Sequence, residues 1–101
     1  MDVVHRLNDI AFVWDSEKAL VNLQKHGVAL EMACEIFFDP FICLLRTEVV
    51  GGEERELAIG MTRGWKLLVV AYTFRADFIR LISARPATSQ ERRAYEDGQA
   101  P

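Results

Sequence analysis

The stretch "WKLLVVAYTF", residues 65–74, constrains this chain more than any other. It is apolar almost throughout and rich in strand-forming residues. A strand of that kind has no polar face to turn to water, so it predicts a central strand covered on both sides. The rest of the chain must then supply two layers of cover and strand neighbours on either edge.

The flanking sequence offers both. "FICLLRTEV", "RELAIGM" and "FIRLISAR" read as further strands, separated by Gly51-Gly52, "TRG" and "RAD". Such short links imply antiparallel neighbours, because a parallel crossover takes a dozen or more residues. Upstream, "AFVWD" at 11–15 reads as a short strand ending at a helix N-cap, Asp15 or Ser16. Glu17 to His26 is helix material, with Ala19, Leu20 and Leu23 predicted to face the core and Lys18, Asn22 and Lys25 forming a polar stripe. Gly27 fits the left-handed position that closes a helix. A second helix is predicted over Leu30 to Phe38, stopped by Asp39-Pro40. "TSQE" at 88–91 is a capping-box pattern for a last short helix to about Asp97. The expected order is β-α-α-β-β-β-β-α, an α+β fold with two N-terminal helices packed on a mostly antiparallel sheet. Residues 1–11 are set apart as an N-terminal extension, 12–97 as one domain and 98–101 as a tail.

At 101 residues, half of them apolar, the chain suits a single soluble domain. No apolar run is long enough to span a bilayer, and "MDVVHRLNDI" lacks the basic start and apolar core of a secretory signal. The expectation is a cytoplasmic chain with no membrane role. Cys34 and Cys43 form neither a disulfide framework nor a metal motif and read as reduced, buried thiols. The net charge of −3 is uneven: residues 1–59 carry five Lys/Arg against eleven Asp/Glu, and residues 60–95 carry seven against two. That asymmetry hints at nucleic-acid contact, although a mixed solvated surface explains it as well.

Several motifs together resemble the BrnT family of toxins. "FVWDSEKALVNLQKHGVALEMACEIFFDP", 12–40, holds W-D, a K…N-L stretch, K-H-G and F-x-D-P in family order. Glu54-Arg55…Leu57…Ile59-Gly60 matches E-R-x-L-x-I-G, and "ISARPATSQERRAY", 82–95, matches S-x-R-x-A-(T/S)-x-x-E-R. The resemblance covers roughly residues 12–96. It implies a RelE-like fold and a ribonuclease toxin of a type II toxin–antitoxin pair that stops translation. It also implies a BrnA-like DNA-binding antitoxin as partner, through which the complex would reach operator DNA only indirectly.

RNA cleavage without a metal needs a base for the 2′-hydroxyl, cations for the growing phosphate charge and an acid for the leaving oxygen. Only two histidines are present, His5 and His26, with no metal-ligand spacing, so neither metal nor cofactor is expected. His26 lies within the K-H-G motif, and an imidazole can take and give a proton near neutral pH. A histidine in a last helical turn also serves the helix end alone. Arg85 and Arg55 are the candidate phosphate-holding catalytic residues, with Lys25, Arg80 and Arg92 as RNA contacts. Each has a structural alternative, such as a salt bridge from Arg85 to Glu91 or from Arg55 to Glu53 or Glu54. Trp14 and Trp65 read as core or core-edge, with stacking on RNA bases as the alternative. A non-catalytic module that acts by binding its antitoxin is the rival function, with Glu53, Glu54 and Glu56 meeting a basic partner segment.

Overall fold

A computed structural model describes residues 1–98. The chain forms a six-stranded mixed sheet in the order β1-β2-β6-β5-β4-β3. Its strands are β1 (Asp2–Leu7), β2 (Ile10–Asp15), β3 (Cys43–Val50), β4 (Glu53–Met61), β5 (Leu67–Phe74) and β6 (Ile79–Pro86). Neighbours are antiparallel except β2 and β6, which run parallel and pair only at Phe12–Ile79 and Val13–Arg80. The four C-terminal strands lie close to their predicted positions. The expected tail at 98–101 falls, from residue 99 onward, outside the described residues.

β5 is buried over seven of its eight positions, as its apolar run requires. Leu68, Val70 and Tyr72 face a core with Phe12, Trp14, Leu30, Cys34 and Ile36. Leu67, Val69 and Ala71 face the other side, with Leu45, Leu57 and Ile59, and Tyr95 packs at the margin. The two helical covers are unequal. The first side carries α1 (Ser16–His26), α2 (Leu30–Ala33) and a 3₁₀ helix, Cys34–Phe38. Only α3 (Ser89–Glu96) lies toward the second.

Four sequence expectations need correction. First, "DVVHRL" forms the edge strand β1, hairpinned onto β2 through Asn8 and Asp9, both at positive φ. This is a two-residue turn that lacks the usual glycine signal, and β1 alternates between exposed and half-buried positions instead of presenting an apolar face. Second, the helix expected over 30–38 is one α-turn followed by 3₁₀ winding. That winding lays Ile36 on β4, where a Cβ on Gly60 would come within 2.8 Å of the Ile36 Cβ. Third, Trp65 is not core: it sits in the turn before β5, 83% exposed. Fourth, α1 is rotated from the expected orientation: of the three positions expected to face the core, only Ala19 packs against it. Leu20 and Leu23 are exposed, and the buried side chain is Asn22.

Asn22 explains that rotation. β2 leaves β6 after two residue pairs, so among the described residues the rest of that β6 edge has no strand beside it. The Asn22 amide fills the gap at Ala84: its Oδ1 accepts the Ala84 N–H at 3.0 Å, and its Nδ2 donates to the Ala84 carbonyl at 2.9 Å. A further bond from Nδ2 reaches the Val28 carbonyl at 2.9 Å, just past the helix end. Buried backbone groups must be paired, and one amide here pairs three. The helix ends themselves are as predicted. Asp15 Oδ2 accepts the Lys18 N–H, and Gly27, at φ 68°, donates its N–H to Leu23. α3 carries the full Thr88–Glu91 capping box.

Cys34 and Cys43 are free thiols, the first buried and the second half-buried. Burial pushes the Cys34 thiol up to about 12. Among the described residues, no helix is long and apolar enough to cross a membrane.

Replacing Asn22 with Ala leaves three buried backbone groups unpaired. The expected cost is about 3 kcal/mol, seen as a lowered denaturant midpoint with an unchanged slope. A loss below roughly 1 kcal/mol would mean that water replaces the amide.

Candidate functional site

α1 lies along the open edge of β6, and a groove of ≈ 430 Å³ runs between them. Lys25 and His26, from the last turn of α1, line it together with Ile82 and Ser83 of β6 and Asp15, Lys18 and Asn22. His26 is half-buried and Lys25 exposed. Both therefore leave the helix toward β6, on the segment between Arg80 and Arg85.

Register places the strand arginines on one face. Arg80 lies opposite Thr73 and Arg85 opposite Val69. Side chains alternate along β5, so Val69, Ala71 and Thr73 share the side away from α1 and α2. Arg55, two residues before Leu57, lies on that side as well. Three of the four predicted arginines thus share a sheet face, and Arg92 stands apart, exposed on α3.

Their partners differ. Arg85 holds Glu91 with both terminal nitrogens, Nη1 to Oε1 at 2.7 Å and Nη2 to Oε2 at 2.8 Å. The Arg85 guanidinium, aided by the Thr88 backbone N–H and working against burial, draws the Glu91 carboxyl down to about 2. Nη1 also reaches the Pro86 carbonyl at 3.4 Å. A guanidinium has five N–H groups, so Nε–H and one Nη2–H remain. Arg80 makes a fork with Asp2 of β1, at 3.1 and 3.2 Å. Arg55 lies opposite Glu48, not bridged to Glu53 or Glu54. Its Nε is buried and has no hydrogen-bond partner among the described residues.

A second hollow, ≈ 360 Å³, opens at the other end of α3, where Asp39, Tyr95, Phe41 and Trp65 meet. Asp39 ties three elements together. Oδ1 accepts the Phe41 N–H at 2.9 Å, and Oδ2 accepts the Met61 N–H at 2.8 Å and the Tyr95 hydroxyl at 2.6 Å. Burial raises the Asp39 carboxyl, but these bonds outweigh it and the net direction is down. Tyr95, by burial and by its bond to Asp39, is pushed up to about 12. Tyr95 packs at the edge of the second core, and nothing in the sequence signalled the bond that anchors it to Asp39. Among the described residues, no group of three His, Cys, Asp or Glu side chains comes together to hold a metal ion.

A model of the BrnT family, the ribonuclease toxin of type II toxin–antitoxin systems, matches residues 14–91. The chain belongs to the BrnT family. The crystal structure of the Brucella abortus ribonuclease toxin BrnT, at 1.1 Å resolution, has the same fold. The TM-score is 0.50 at 22% identity, over 75% of this chain and 94% of that one. No curated protein matches this sequence.

The motifs that carried the BrnT resemblance now have structural work. In Ser83-Ala84-Arg85, the serine lines the α1 groove, the alanine backbone receives Asn22, and the arginine takes Glu91. The asparagine of the K…N-L stretch is Asn22 itself, which was the available signal for a buried position. The aspartate of F-x-D-P is the triple acceptor Asp39.

The Arg85–Glu91 pair predicts an acid transition. Glu91 is depressed from its ordinary 4.5, so its contribution is complete above that pH and is lost as pH falls toward about 2. Denaturant midpoints should fall over that window, and Glu91→Gln should flatten the fall, at a cost of about 1–3 kcal/mol at neutral pH. An unchanged slope in the variant would remove Glu91 as its source.

Proposed function

We propose that this BrnT-family chain cuts RNA without a metal, in a RelE-like manner, at the junction of the α1 groove and the arginine face of β6. His26 carries the proton. Lys25 and the free N–H groups of Arg85 hold the phosphate, and Arg55 and Arg80 extend the cationic face along the RNA, with Arg92 as an outer contact. One observation carries this reading: Lys25 and His26 share a groove with Ile82 and Ser83, between the two arginines of the same strand. The partition fits the chemistry, which needs a proton carrier beside preorganised cations. Arg85 is preorganised by Glu91, and its remaining N–H groups suit a phosphate oxygen.

In this reading the toxin acts in the cytoplasm and arrests translation, and a BrnA-like DNA-binding antitoxin neutralises it. Operator DNA is reached only through that antitoxin. Leu20, Val21 and Leu23, exposed on α1 beside the groove, form an apolar strip of the kind a protein partner covers.

Arg85→Ala and His26→Ala should each slow cleavage by about 100-fold or more, and Arg85→Lys should not restore the fork. Cleavage of labelled RNA by the purified variants checks this, with folding confirmed by circular dichroism. A folded double variant that still cuts at the wild-type rate would end the assignment. Expression of the chain alone should arrest growth, and the neighbouring small basic open reading frame should relieve it. Tight partner binding without arrest would favour the non-catalytic module.

A further inference from the structure

The hollow at the end of α3 combines features that the cleavage chemistry does not use. Trp65 and Phe41 line it, and they are 83% and 72% exposed. Trp65 is held at φ 64°, a left-handed conformation rare for a bulky residue. The turn closes around it, the Trp65 N–H donating to the Thr62 carbonyl at 3.1 Å and the Lys66 N–H to the Thr62 hydroxyl at 3.1 Å, and it leaves the large ring outward in water. The hollow's volume, ≈ 360 Å³, falls within the range of small-ligand sites, about 300–1,000 Å³.

The polar lining is selective. Both oxygens of Asp39 are already engaged, by Phe41, Met61 and Tyr95. Those of Glu35 are not both engaged: its Oε1 accepts the Arg63 N–H at 2.9 Å, which fixes the carboxylate at the rim, and Oε2 has no partner among the described residues. Arg63 itself is exposed on the lining, with no carboxylate partner among the described residues. Aromatic rings, one available carboxylate and one available cation suit a flat ligand that offers N–H donors at one end and a phosphate at the other. Unpaired bases are stacked on aromatic side chains and read along their Watson–Crick edges. Guanine is the RNA base whose Watson–Crick edge offers two adjacent donors, N1–H and the 2-amino group, to one carboxylate.

The position also fits. Glu91, which holds Arg85, and Tyr95, which holds Asp39, are four residues apart on α3, hence neighbours on one helix face, roughly 6 Å along its axis. Trp65 precedes Val69, the strand partner of Arg85, by four residues, roughly 13 Å along the chain. A separation of that order is within the reach of a few extended nucleotides.

Building on the ribonuclease role, we propose that this hollow binds an unpaired guanine of the RNA substrate. Trp65 and Phe41 stack on the base, Glu35 reads its Watson–Crick edge, and Arg63 meets a flanking phosphate. Trp65 and Glu35 are then specificity residues, distinct from the cleavage groups.

Binding of short 2′-O-methyl oligonucleotides, which cannot be cut, tests this separately from catalysis. The probes are an adenine-rich strand with one guanine and the same strand with inosine, which lacks the 2-amino group, or adenine at that position. With the full chain, the guanine strand should bind about tenfold or more tighter than the others and quench tryptophan fluorescence. Trp65→Ala should abolish the preference and the quench, and Trp65→Phe should recover part of the affinity. Glu35→Gln should equalise guanine and inosine without weakening the adenine strand. Equal binding of all strands, or an unaffected Trp65→Ala variant, would overturn the proposal, as would quenching by an arginine-rich peptide in place of RNA. RNA cutting with no base preference would sink the guanine site and leave the ribonuclease role standing. Guanine-selective binding without cutting would do the opposite.

Discussion

A strand edge that loses its neighbour must find hydrogen-bond partners elsewhere, and the edge of β6 finds them in one side chain. Asn22 stands where a strand would have continued. The other placements near the groove follow from that bond. It turns α1 so that leucines face outward, draws the helix against β6, and delivers Lys25 and His26 to Ser83. A buried amide is costly unless all its partners are present. Here the full set is met, and the reward is a fixed register between a helix and a strand edge.

The second organising group is α3, short and without a buried side chain of its own. It works through two polar residues. Glu91 fixes the guanidinium of Arg85, and Tyr95 fixes Asp39, which in turn gathers the end of the 3₁₀ helix and the end of β4. Arg85 is accordingly an oriented group, not loose surface charge. Preorganisation of this kind matters for a reaction that builds charge on a phosphate, because no rearrangement has to accompany that charge.

The sequence was most legible where a single physical rule dominates. The unbroken apolar run of β5, the glycine stop after His26 and the Thr88–Glu91 capping box were all readable, because each needs only its own neighbours. β1 was not, since an edge strand exposed on one face has little apolar pattern to show. The orientation of α1 was misread for a different reason. Periodicity assigns polar residues to water, and Asn22 is buried because of a gap in a sheet formed by residues about sixty positions away. Trp65 was misplaced because an apolar residue beside a strand looks like part of it until the turn geometry is known. At the site, the candidate residues could be named from motifs. The carboxylate partners of Arg80 and Arg85 are a mixed case: Glu91 is local and was foreseen, whereas Asp2 lies on the strand that periodicity concealed.

The short parallel pairing of β2 with β6, and the Asn22–Ala84 bond beside it, join parts of the chain separated by 62 residues in the case of the bond. Contacts so distant in sequence close late, after the intervening antiparallel strands have paired locally. On a ribosome, which releases the chain from its N-terminus, α1 emerges long before the strand edge it must meet. The groove holding Lys25 and His26 therefore does not exist in any chain that ends before β6. Synthesis itself delays the assembly of the site until β6 has been made.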